Sequence, residues 1–289
     1  MKPAPFAWHA PETLEEALAL KSVHGNEAHF LAGGQSLVPA MNFRVAQPGV
    51  LIDLNRLGGL GDITASSDGA LVIGAMARNA RIERDAMAIR HHPILAEALA
   101  EVAHPQIRNR GTLGGNLAHA DPASEMPAVM LALNARFVLR SAAGMRELAA
   151  ADFFLGPLST AITASEMLVE IRIPAPAPHT GTAFLELARR RGDYAMMGVA
   201  AVVTRDENGV CRAARLACCS AGPTPMAAPG AAASLLGTRL SEAEITAAAS
   251  LLQQEIAPAG SVQASPAYQR HLAGVLARRA IRLAWDRAR

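Results

Sequence analysis

The chain has 289 residues, of which 51% are hydrophobic, 18% are charged and 4% are aromatic. This balance is typical of a globular protein with a buried core, and it excludes a disordered or fibrous chain. The formal net charge of +2 gives no general reason to expect nucleic-acid binding. The length allows one large domain or two to three small ones.

Neither a membrane span nor a secretory signal is predicted from the sequence. The apolar run over 195–203 falls well short of the roughly 20 residues that cross a bilayer. The first residues carry a single lysine among prolines and other polar residues, and they lack the apolar region of a signal peptide. We therefore expect a cytoplasmic protein.

Residues 1–58 are predicted to form a β-α-β-like unit. Thr13 and Glu16 make a capping box, which is typical of a helix start. The apolar run over 29–32 ends at two glycines, as a strand does when it enters a turn, and 50–54 has the composition of a second strand.

Residues 59–175 alternate between short strand and helix patterns. The predicted elements are, in chain order, a hairpin of 63–65 and 71–73, helices over 79–87 and 94–103, a polar loop over 104–123, a helix over 127–133, and strands over 136–139 and 167–173.

The clearest break in the chain is formed by Pro174, Pro176 and Pro178, because alternating prolines are extended and semi-rigid. Beyond this break the sequence predicts an antiparallel meander of three strands followed by two helices, with the sequence Asn208-Gly209 as a hairpin turn. The strands are predicted over 184–188, 199–204 and 210–219, and the helices over 241–255 and from 266 to the end.

The chain has three cysteines, Cys211, Cys218 and Cys219. They lie in one predicted strand and form no C-x-x-C pair, and three thiolates cannot hold a four-cysteine iron–sulfur cluster. The histidines are scattered without metal-ligand spacing, and no Ser-His-Asp or Cys-His arrangement indicates hydrolysis. We therefore expect buried reduced thiols, no resident metal and no catalytic residue of the hydrolytic kind.

Two glycine-rich loops are the most informative part of the sequence. The first runs from Ala32 to Ser36 and the second from Gly111 to Asn116, and each contains two adjacent glycines. Adjacent glycines can turn consecutive N–H groups toward one point, which is a geometry that binds phosphate. Neither loop is a Walker A or a G-x-G-x-x-G motif. Together they predict a ligand with a diphosphate, held between two subdomains.

These loops carry a family resemblance. Residues 32–44 (Ala-Gly-Gly-Gln-Ser-Leu-Val-Pro-Ala-Met-Asn-Phe-Arg) and 110–128 (Arg-Gly-Thr-Leu-Gly-Gly-Asn-Leu-Ala-His-Ala-Asp-Pro-Ala-Ser-Glu-Met-Pro-Ala) closely resemble the two FAD-binding signatures of the molybdenum hydroxylase flavoproteins. These are the medium subunits of the carbon monoxide dehydrogenase and xanthine dehydrogenase family. The sequence Arg-Arg-Gly-Asp-Tyr-Ala at 190–195 continues the resemblance.

The resemblance implies an α+β protein in three parts. A two-subdomain, PCMH-type FAD-binding fold is expected over 1–58 and 59–175. A C-terminal flavoprotein domain, with a three-stranded antiparallel sheet and helices, is expected over 176–289. FAD is expected to be bound noncovalently, since no histidine or cysteine stands out as an attachment point.

The resemblance also implies a set of FAD contacts, in which the two loops hold the pyrophosphate and the ribityl oxygens. Glu125 stands where relatives place an acidic residue, usually aspartate, near the flavin. Asp121 either binds a ligand hydroxyl or caps a helix, and Tyr194 either stacks on the isoalloxazine or only packs. The expected contacts are Ala32, Gly33, Gly34, Gln35, Ser36, Thr112, Leu113, Gly114, Gly115, Asn116, Asp121, Glu125, Leu168, Val169 and Tyr194.

The family's division of labour supplies the expected function. A large partner subunit would carry a molybdenum–pterin centre and a small partner two [2Fe–2S] clusters, in a dimer of heterotrimers. This chain would pass electrons from those clusters through FAD to an external acceptor. Two other functions stay open, a self-contained FAD-dependent oxidase of the vanillyl-alcohol type and an assembly scaffold that no longer binds flavin.

Overall fold

A computed structural model describes all of residues 1–289, with fourteen strands and twelve helices. The strands are β1 (Ala7–His9), β2 (Ala28–Leu31), β3 (Val50–Asp53), β4 (Ile63–Ala65), β5 (Leu71–Gly74), β6 (Arg136–Ser141), β7 (Gly144–Ala149), β8 (Phe154–Gly156), β9 (Ser159–Thr160), β10 (Met167–Ile173), β11 (Thr180–Ala188), β12 (Ala195–Arg205), β13 (Cys211–Cys219) and β14 (Met226–Ala227). The helices are α1 (Leu14–His24), α2 (Leu37–Asn42), α3 (Asn79–Ile82), α4 (Ala86–His91), α5 (Ile94–Glu101), α6 (Pro105–Arg108), α7 (Leu113–His119), α8 (Glu125–Ala132), α9 (Ala150–Phe153), α10 (Pro229–Ala233), α11 (Glu242–Glu255) and α12 (Pro266–Arg287).

The first sheet is parallel, with the strand order β1-β3-β2. Both hydrogen bonds of the predicted capping box are present at the start of α1. Ala17 and Leu18 on α1 pack with Val50 and Ile52 of the central strand in a small core. The β-α-β prediction is thus confirmed, and β1 adds a strand that the sequence pattern did not reveal.

The second sheet is antiparallel, with the strand order β4-β5-β10-β6-β7, and helices α3 to α8 lie in the chain between β5 and β6. The predicted helix over 79–87 is divided, because the Asp85 side chain accepts hydrogen bonds from the N–H groups of Met87 and Ala88 and starts a new helix there.

The prediction of a continuous polar loop over 104–123 is wrong, since α6 and α7 lie within it. Pro105 stands in the first turn of α6, and the Thr112 hydroxyl caps α7 by accepting from the Gly115 N–H. Glycine has a low helix propensity, which hides α7 from local pattern reading. Burial of Leu113 and Leu117 in the core stabilises the helix instead.

The third sheet has the antiparallel order β11-β12-β13-β14. The three predicted strands are present, but the prediction of a three-stranded sheet is corrected to four. The added strand, β14, is only two residues long and pairs Met226 with Cys218, so it has no alternation pattern to read. Helix α12 packs on this sheet so closely that a Cβ on Gly181 would overlap the Ala284 carbonyl oxygen.

The second and third sheets share one core. Phe184, Ala200 and Ala217 of the third sheet belong to the same cluster of 36 buried residues as the helices around the second sheet. The three sheets fall within 1–58, 59–175 and 176–289, and we propose these ranges as the domains. All three cysteines are buried free thiols on β13, as predicted. No helix among residues 1–289 has both the length and the apolar character needed to cross a bilayer.

Candidate functional site

A cleft of about 510 Å³ lies between the first sheet and the second, and both glycine loops line it. Its volume is in the range of cofactor and small-molecule sites. Ten of the fifteen residues expected to contact FAD line this cleft: Ala32, Gly33, Gly34, Gln35, Ser36, Thr112, Gly114, Gly115, Asn116 and Leu168.

The first loop offers an uninterrupted row of hydrogen-bond donors. The six backbone N–H groups from Ala32 to Leu37 donate to no acceptor within the protein. Gly34 has a φ of +73°, a left-handed conformation that glycine adopts without strain. The Gln35 side chain donates to the Gly33 carbonyl oxygen at 2.9 Å and holds the turn. A row of unpaired N–H groups on a cleft wall suits an anionic ligand.

The second loop uses its donors differently. The N–H groups of Leu113 and Gly114 donate to the carbonyl oxygens of Ala77 (3.0 Å) and Ala75 (2.9 Å). The Gly115 N–H donates to the Thr112 hydroxyl at 3.1 Å. These bonds fasten the loop to the segment that follows β5. The second loop therefore shapes the cleft, while the first loop supplies the free amides.

The two loops touch through their glycines. A Cβ added to Gly33 would overlap the Arg110 carbonyl oxygen and lie 2.7 Å from the Gly111 Cα. A Cβ on Gly115 would lie 2.8 Å from the Thr112 hydroxyl and 3.6 Å from the Ala32 Cβ. Real Cβ atoms do not tolerate the closest of these distances, so side chains here would open the loops or fill the cradle.

One end of the cleft is built by residues that sequence reasoning did not single out, among them Lys21, Asn26, His29 and Phe30. The Lys21 ammonium donates to the carbonyl oxygens of Gly25 (2.8 Å) and Ala28 (2.5 Å). Burial lowers its pKa. Burial, with the Lys21 charge next, also lowers the pKa of His29. Lys21 reads in the sequence as an ordinary exposed helix cation, so no local signal could have found it.

The segment from Thr160 to Leu168 lines another part of the cleft. Arg146 forms an ion pair with Glu166 at 2.5 Å, and the Thr163 N–H donates to the same carboxylate at 2.8 Å. The hydrogen bond from Arg146 is the largest cause that lowers the pKa of Glu166 to about 2. This ion pair fixes the segment before β10.

Five of the expected contacts do not line the cleft. Leu113 and Val169 are buried in the cores beside it. The Asp121 carboxylate accepts from the Ala123 N–H at 2.9 Å, so it stabilises a turn, and Ser124 is the residue at the cap of α8. The remaining two, Glu125 and Tyr194, belong to a separate group of side chains.

That group lies where helix α8 packs on the third sheet. Glu125 is only 6% exposed, and burial, followed by the charges of Asp121 and Glu101, raises its pKa to about 7. Glu186 on β11 has a buried Oε2 without a partner. Burial, followed by the charges of Glu125 and Glu101, raises its pKa to about 9. Tyr194 is 67% exposed and near enough to Asp121 and Glu125 for their charges to help burial raise its pKa.

Two family models together match nearly the whole chain. The FAD binding domain in molybdopterin dehydrogenase matches residues 4–176, and the CO dehydrogenase flavoprotein C-terminal domain matches residues 182–284.

Individual relatives match over the same length. The 6-hydroxypseudooxynicotine dehydrogenase complex subunit alpha of Paenarthrobacter nicotinovorans is 40% identical, over 100% of this chain and 97% of that protein. The carbon monoxide dehydrogenase medium chain of Hydrogenophaga pseudoflava is 39% identical, over 99% of each.

Solved structures agree with these relatives. A carbon monoxide dehydrogenase from Hydrogenophaga pseudoflava that lacks the Mo-pyranopterin moiety of its cofactor superposes with a TM-score of 0.96 at 40% identity, over 99% of both chains. Quinoline 2-oxidoreductase from Pseudomonas putida 86 superposes with a TM-score of 0.94 at 37% identity, over 100% of this chain and 99% of that one.

Proposed function

Because the chain belongs to the flavoprotein family of the molybdopterin dehydrogenases, we propose that it is the FAD-binding electron-transfer subunit of a molybdenum hydroxylase. In this proposal it receives electrons from [2Fe–2S] clusters on a small partner and delivers them to an external acceptor. A large partner carries the molybdenum–pterin centre, and the complex is a dimer of heterotrimers in the cytoplasm. The relatives' names, medium chain and complex subunit, support a multi-subunit assembly.

The observation that carries the proposal is the row of free amides in the first glycine loop. FAD contains a pyrophosphate with two negative charges, and the N–H groups from Ala32 to Leu37 can stabilise these charges by hydrogen bonding without a lysine. Backbone donors held by a fixed turn need no reorganisation when the ligand binds. The glycine contacts let the two loops approach each other closely on the wall of the cleft. The residues present therefore fit FAD.

The fifteen expected contacts remain proposed contacts, now with different roles. We assign the pyrophosphate to the amides of the first loop, and the hydroxyl and amide side chains of Thr112 and Asn116 to the neighbouring oxygens. Glu125 and Tyr194 would contact the flavin from the region where α8 packs on the third sheet. When bound, FAD supplies the one- and two-electron chemistry. The residues of this chain bind it, orient it and exclude water from the cleft.

The burial of the cysteine thiols supports the proposal that the metal clusters lie on partner subunits and not on this chain. Cys218 and Cys219 are completely buried, and burial raises the pKa of the Cys218 thiol to about 12. A metal ligand must be a thiolate, which this environment opposes. No group of three or more histidine, cysteine or carboxylate side chains in residues 1–289 could hold a metal ion.

Purification of the chain with its partners tests the assembly and the cofactor together. The complex is expected to contain FAD that is released by heat or acid, and to contain iron and molybdenum in the other subunits. The separated chain is expected to keep FAD and contain neither metal. A separated chain that fails to take up FAD would support the scaffold hypothesis, and substrate turnover by the separated chain would support a self-contained oxidase; either result overturns the proposal.

Electron flow is tested in the intact complex after removal of FAD. Substrate is expected to reduce the iron–sulfur clusters, while reduction of an external dye acceptor at the flavin stops and returns when FAD is added back. Unchanged acceptor reduction by the flavin-free complex would show that electrons leave by another route.

A further inference from the structure

Three consecutive arginines form an exposed cationic patch between β11 and β12. Arg189, Arg190 and Arg191 are all exposed, and none of them forms an ion pair within the chain. Asp193 is the only carboxylate of the segment 189–194, which we call the arginine loop. Adjacent like charges repel each other, so these side chains do not stabilise the fold through charge and are free to meet an external anionic group.

The backbone of the arginine loop is fixed although its cationic side chains are free. The Asp193 N–H donates to the Arg190 carbonyl oxygen at 3.1 Å, and Gly192 takes a φ of +85°, which glycine adopts without strain. A Cβ on Gly192 would lie 2.7 Å from both the Ala103 carbonyl oxygen and the His104 Nδ1. The loop therefore holds its arginines at a defined place on the surface.

This place is beside the proposed cofactor cleft. The loop contacts Ala103 and His104. Val102 before them and Ile107 after them line the cleft. Tyr194, at the other end of the loop, is a proposed flavin contact and is largely exposed. A protein that covers the arginines would therefore lie next to the cofactor.

The carboxyl groups near the loop lie deeper than its arginines. Glu125 is buried, and Glu101, Asp121 and Asp193 are half-buried. Burial also raises the pKa of Glu125 to about 7, which leaves it partly uncharged at neutral pH. The outermost charges of this region are therefore the three guanidinium groups, and an approaching protein meets them first.

A protein with a carboxylate-rich face fits this patch. Arginine and tyrosine are enriched among the residues that contribute most to protein interfaces, and complementary charge speeds the encounter of two proteins. A nucleic acid or a membrane would need a larger basic surface, whereas the formal net charge of the whole chain is only +2. These observations favour an acidic protein as the occupant.

We propose that the arginine loop docks the carboxylate-rich face of a one-electron carrier protein, which is the external electron acceptor of this chain. This inference rests on the proposed function, because it names the acceptor of the electrons that FAD supplies. Two carriers each take one electron from a two-electron-reduced FAD, and the protons of the reduced FAD pass to water.

The test follows electron transfer from the reduced, FAD-loaded full chain to oxidised plastocyanin, an acidic copper protein, by the loss of its blue absorbance. The rate constant is expected to fall as the ionic strength rises, since salt screens the attraction between the two surfaces. Replacement of all three loop arginines (Arg189→Gln, Arg190→Gln and Arg191→Gln) is expected to slow the reaction about tenfold at low ionic strength and to remove most of the salt dependence.

A matched triple variant controls for total charge. Arg212→Gln, Arg278→Gln and Arg279→Gln together remove the same charge from exposed positions that do not line the cleft, and this protein is expected to react with plastocyanin like wild type. Both triple variants are expected to keep the FAD content of wild type. A neutral quinone, which needs no charged docking surface, should oxidise all three proteins at the same rate. Cytochrome c, a basic carrier, is expected to react faster with the loop variant than with wild type.

Equal plastocyanin rates for wild type and the loop variant, or equal slowing by both triple variants, overturn the docking surface. Binding to phosphatidylglycerol vesicles that only the loop variant loses would then identify a membrane as the occupant. The intact complex is expected to show the same dependence on the loop, and its loss there would show that a partner subunit covers the arginines, which overturns the assignment to an external acceptor. A wild-type chain that does not bind FAD overturns the proposed function instead.

Discussion

Gly33 and Gly111 lie in direct contact, and a Cβ on Gly33 would lie 2.7 Å from the Gly111 Cα and overlap the Arg110 carbonyl oxygen. The contact joins a loop of the first sheet to a loop that precedes α7, across about 80 residues of chain. The cleft exists because these two backbones can approach so closely. The same contact makes the cleft sensitive to a single methyl group.

We predict that Gly33→Ala lowers FAD affinity at least about tenfold, because the added methyl group forces the loops apart. The flavin content of each chain after gel filtration measures the effect. Gly58→Ala is the control, since nothing lies within 4 Å of a Cβ at Gly58, and it should retain flavin. Full flavin occupancy in Gly33→Ala would contradict the role of this contact.

Thr112→Val is expected to destabilise the protein by about 1 kcal/mol, the usual cost of a lost helix cap. The Thr112 hydroxyl accepts from the Gly115 N–H at 3.1 Å, and valine cannot replace it. The melting temperature should fall by about 2–4 °C. Thr112→Ser should restore it, and Thr64→Val, on the exposed face of β4, should not change it. A melting temperature of Thr112→Val equal to that of the wild type would show that α7 does not need this cap.

Stability is expected to fall as the pH rises from about 5 to 9, because of the buried carboxyls where α8 packs on the third sheet. The folded protein raises the pKa of Glu125 to about 7 and that of Glu186 to about 9. A carboxyl with a raised pKa stabilises the fold most while it is protonated in both states, and that stability is lost as the pH rises through the folded pKa. The charged groups that face Glu186 are Glu125 and Glu101.

Glu186→Gln removes the titrating carboxyl at position 186. It is expected to raise the free energy of unfolding at pH 8 by more than about 1.4 kcal/mol, the value of one pKa unit. Melts at a series of pH values measure the difference from wild type. Glu207→Gln, in an exposed turn, should keep the wild-type pH dependence. Parallel curves for wild type and Glu186→Gln would refute the carboxyl interaction.

Arg146→Met is expected to weaken FAD binding about threefold, since the ion pair with Glu166 and a bond to the Ala161 carbonyl oxygen at 2.7 Å hold the segment that lines the cleft. One charge-assisted hydrogen bond has about the energy needed for such an effect. Titration of the stripped protein with FAD measures it. Arg140→Met is the control: it breaks an exposed ion pair with Glu15 at 3.7 Å and should bind FAD like wild type. Equal FAD affinities of wild type and both variants would show that the Arg146 bonds are not needed to hold the segment for FAD binding.

Local sequence was sufficient for the features that depend on neighbours in the chain. The capping box at Thr13 and Glu16 could be predicted because both of its hydrogen bonds join residues only three positions apart. The hairpin turn at Asn208 and Gly209 follows from the ease with which glycine takes positive φ. The three cysteines were predicted as buried because they lie in a core strand, and the adjacent Cys218 and Cys219 are both buried because the two faces of β13 pack into different cores. The family resemblance extended these local features to the order of the domains.

Other features depended on contacts between distant segments, which local patterns do not contain. Helix α7 is stable because Leu113 and Leu117 are buried by other elements, although its glycines disfavour a helix. The two glycine loops look equivalent in sequence. Only the tertiary structure distinguishes them: N–H groups of the second loop donate to the carbonyl oxygens of Ala75 and Ala77, whereas those of the first loop have no acceptor in the protein.

The same reason explains the titrating and unpaired groups. Glu125 and Glu186 are 61 positions apart in the numbering, and their raised pKa values arise mainly from burial where helix α8 packs on the third sheet. The sequence by itself determined which loops and elements this protein has, because those depend on short-range geometry. The tertiary structure decided which amides and carboxyls are left without partners, because hydrogen-bond pairing is settled only when distant segments meet.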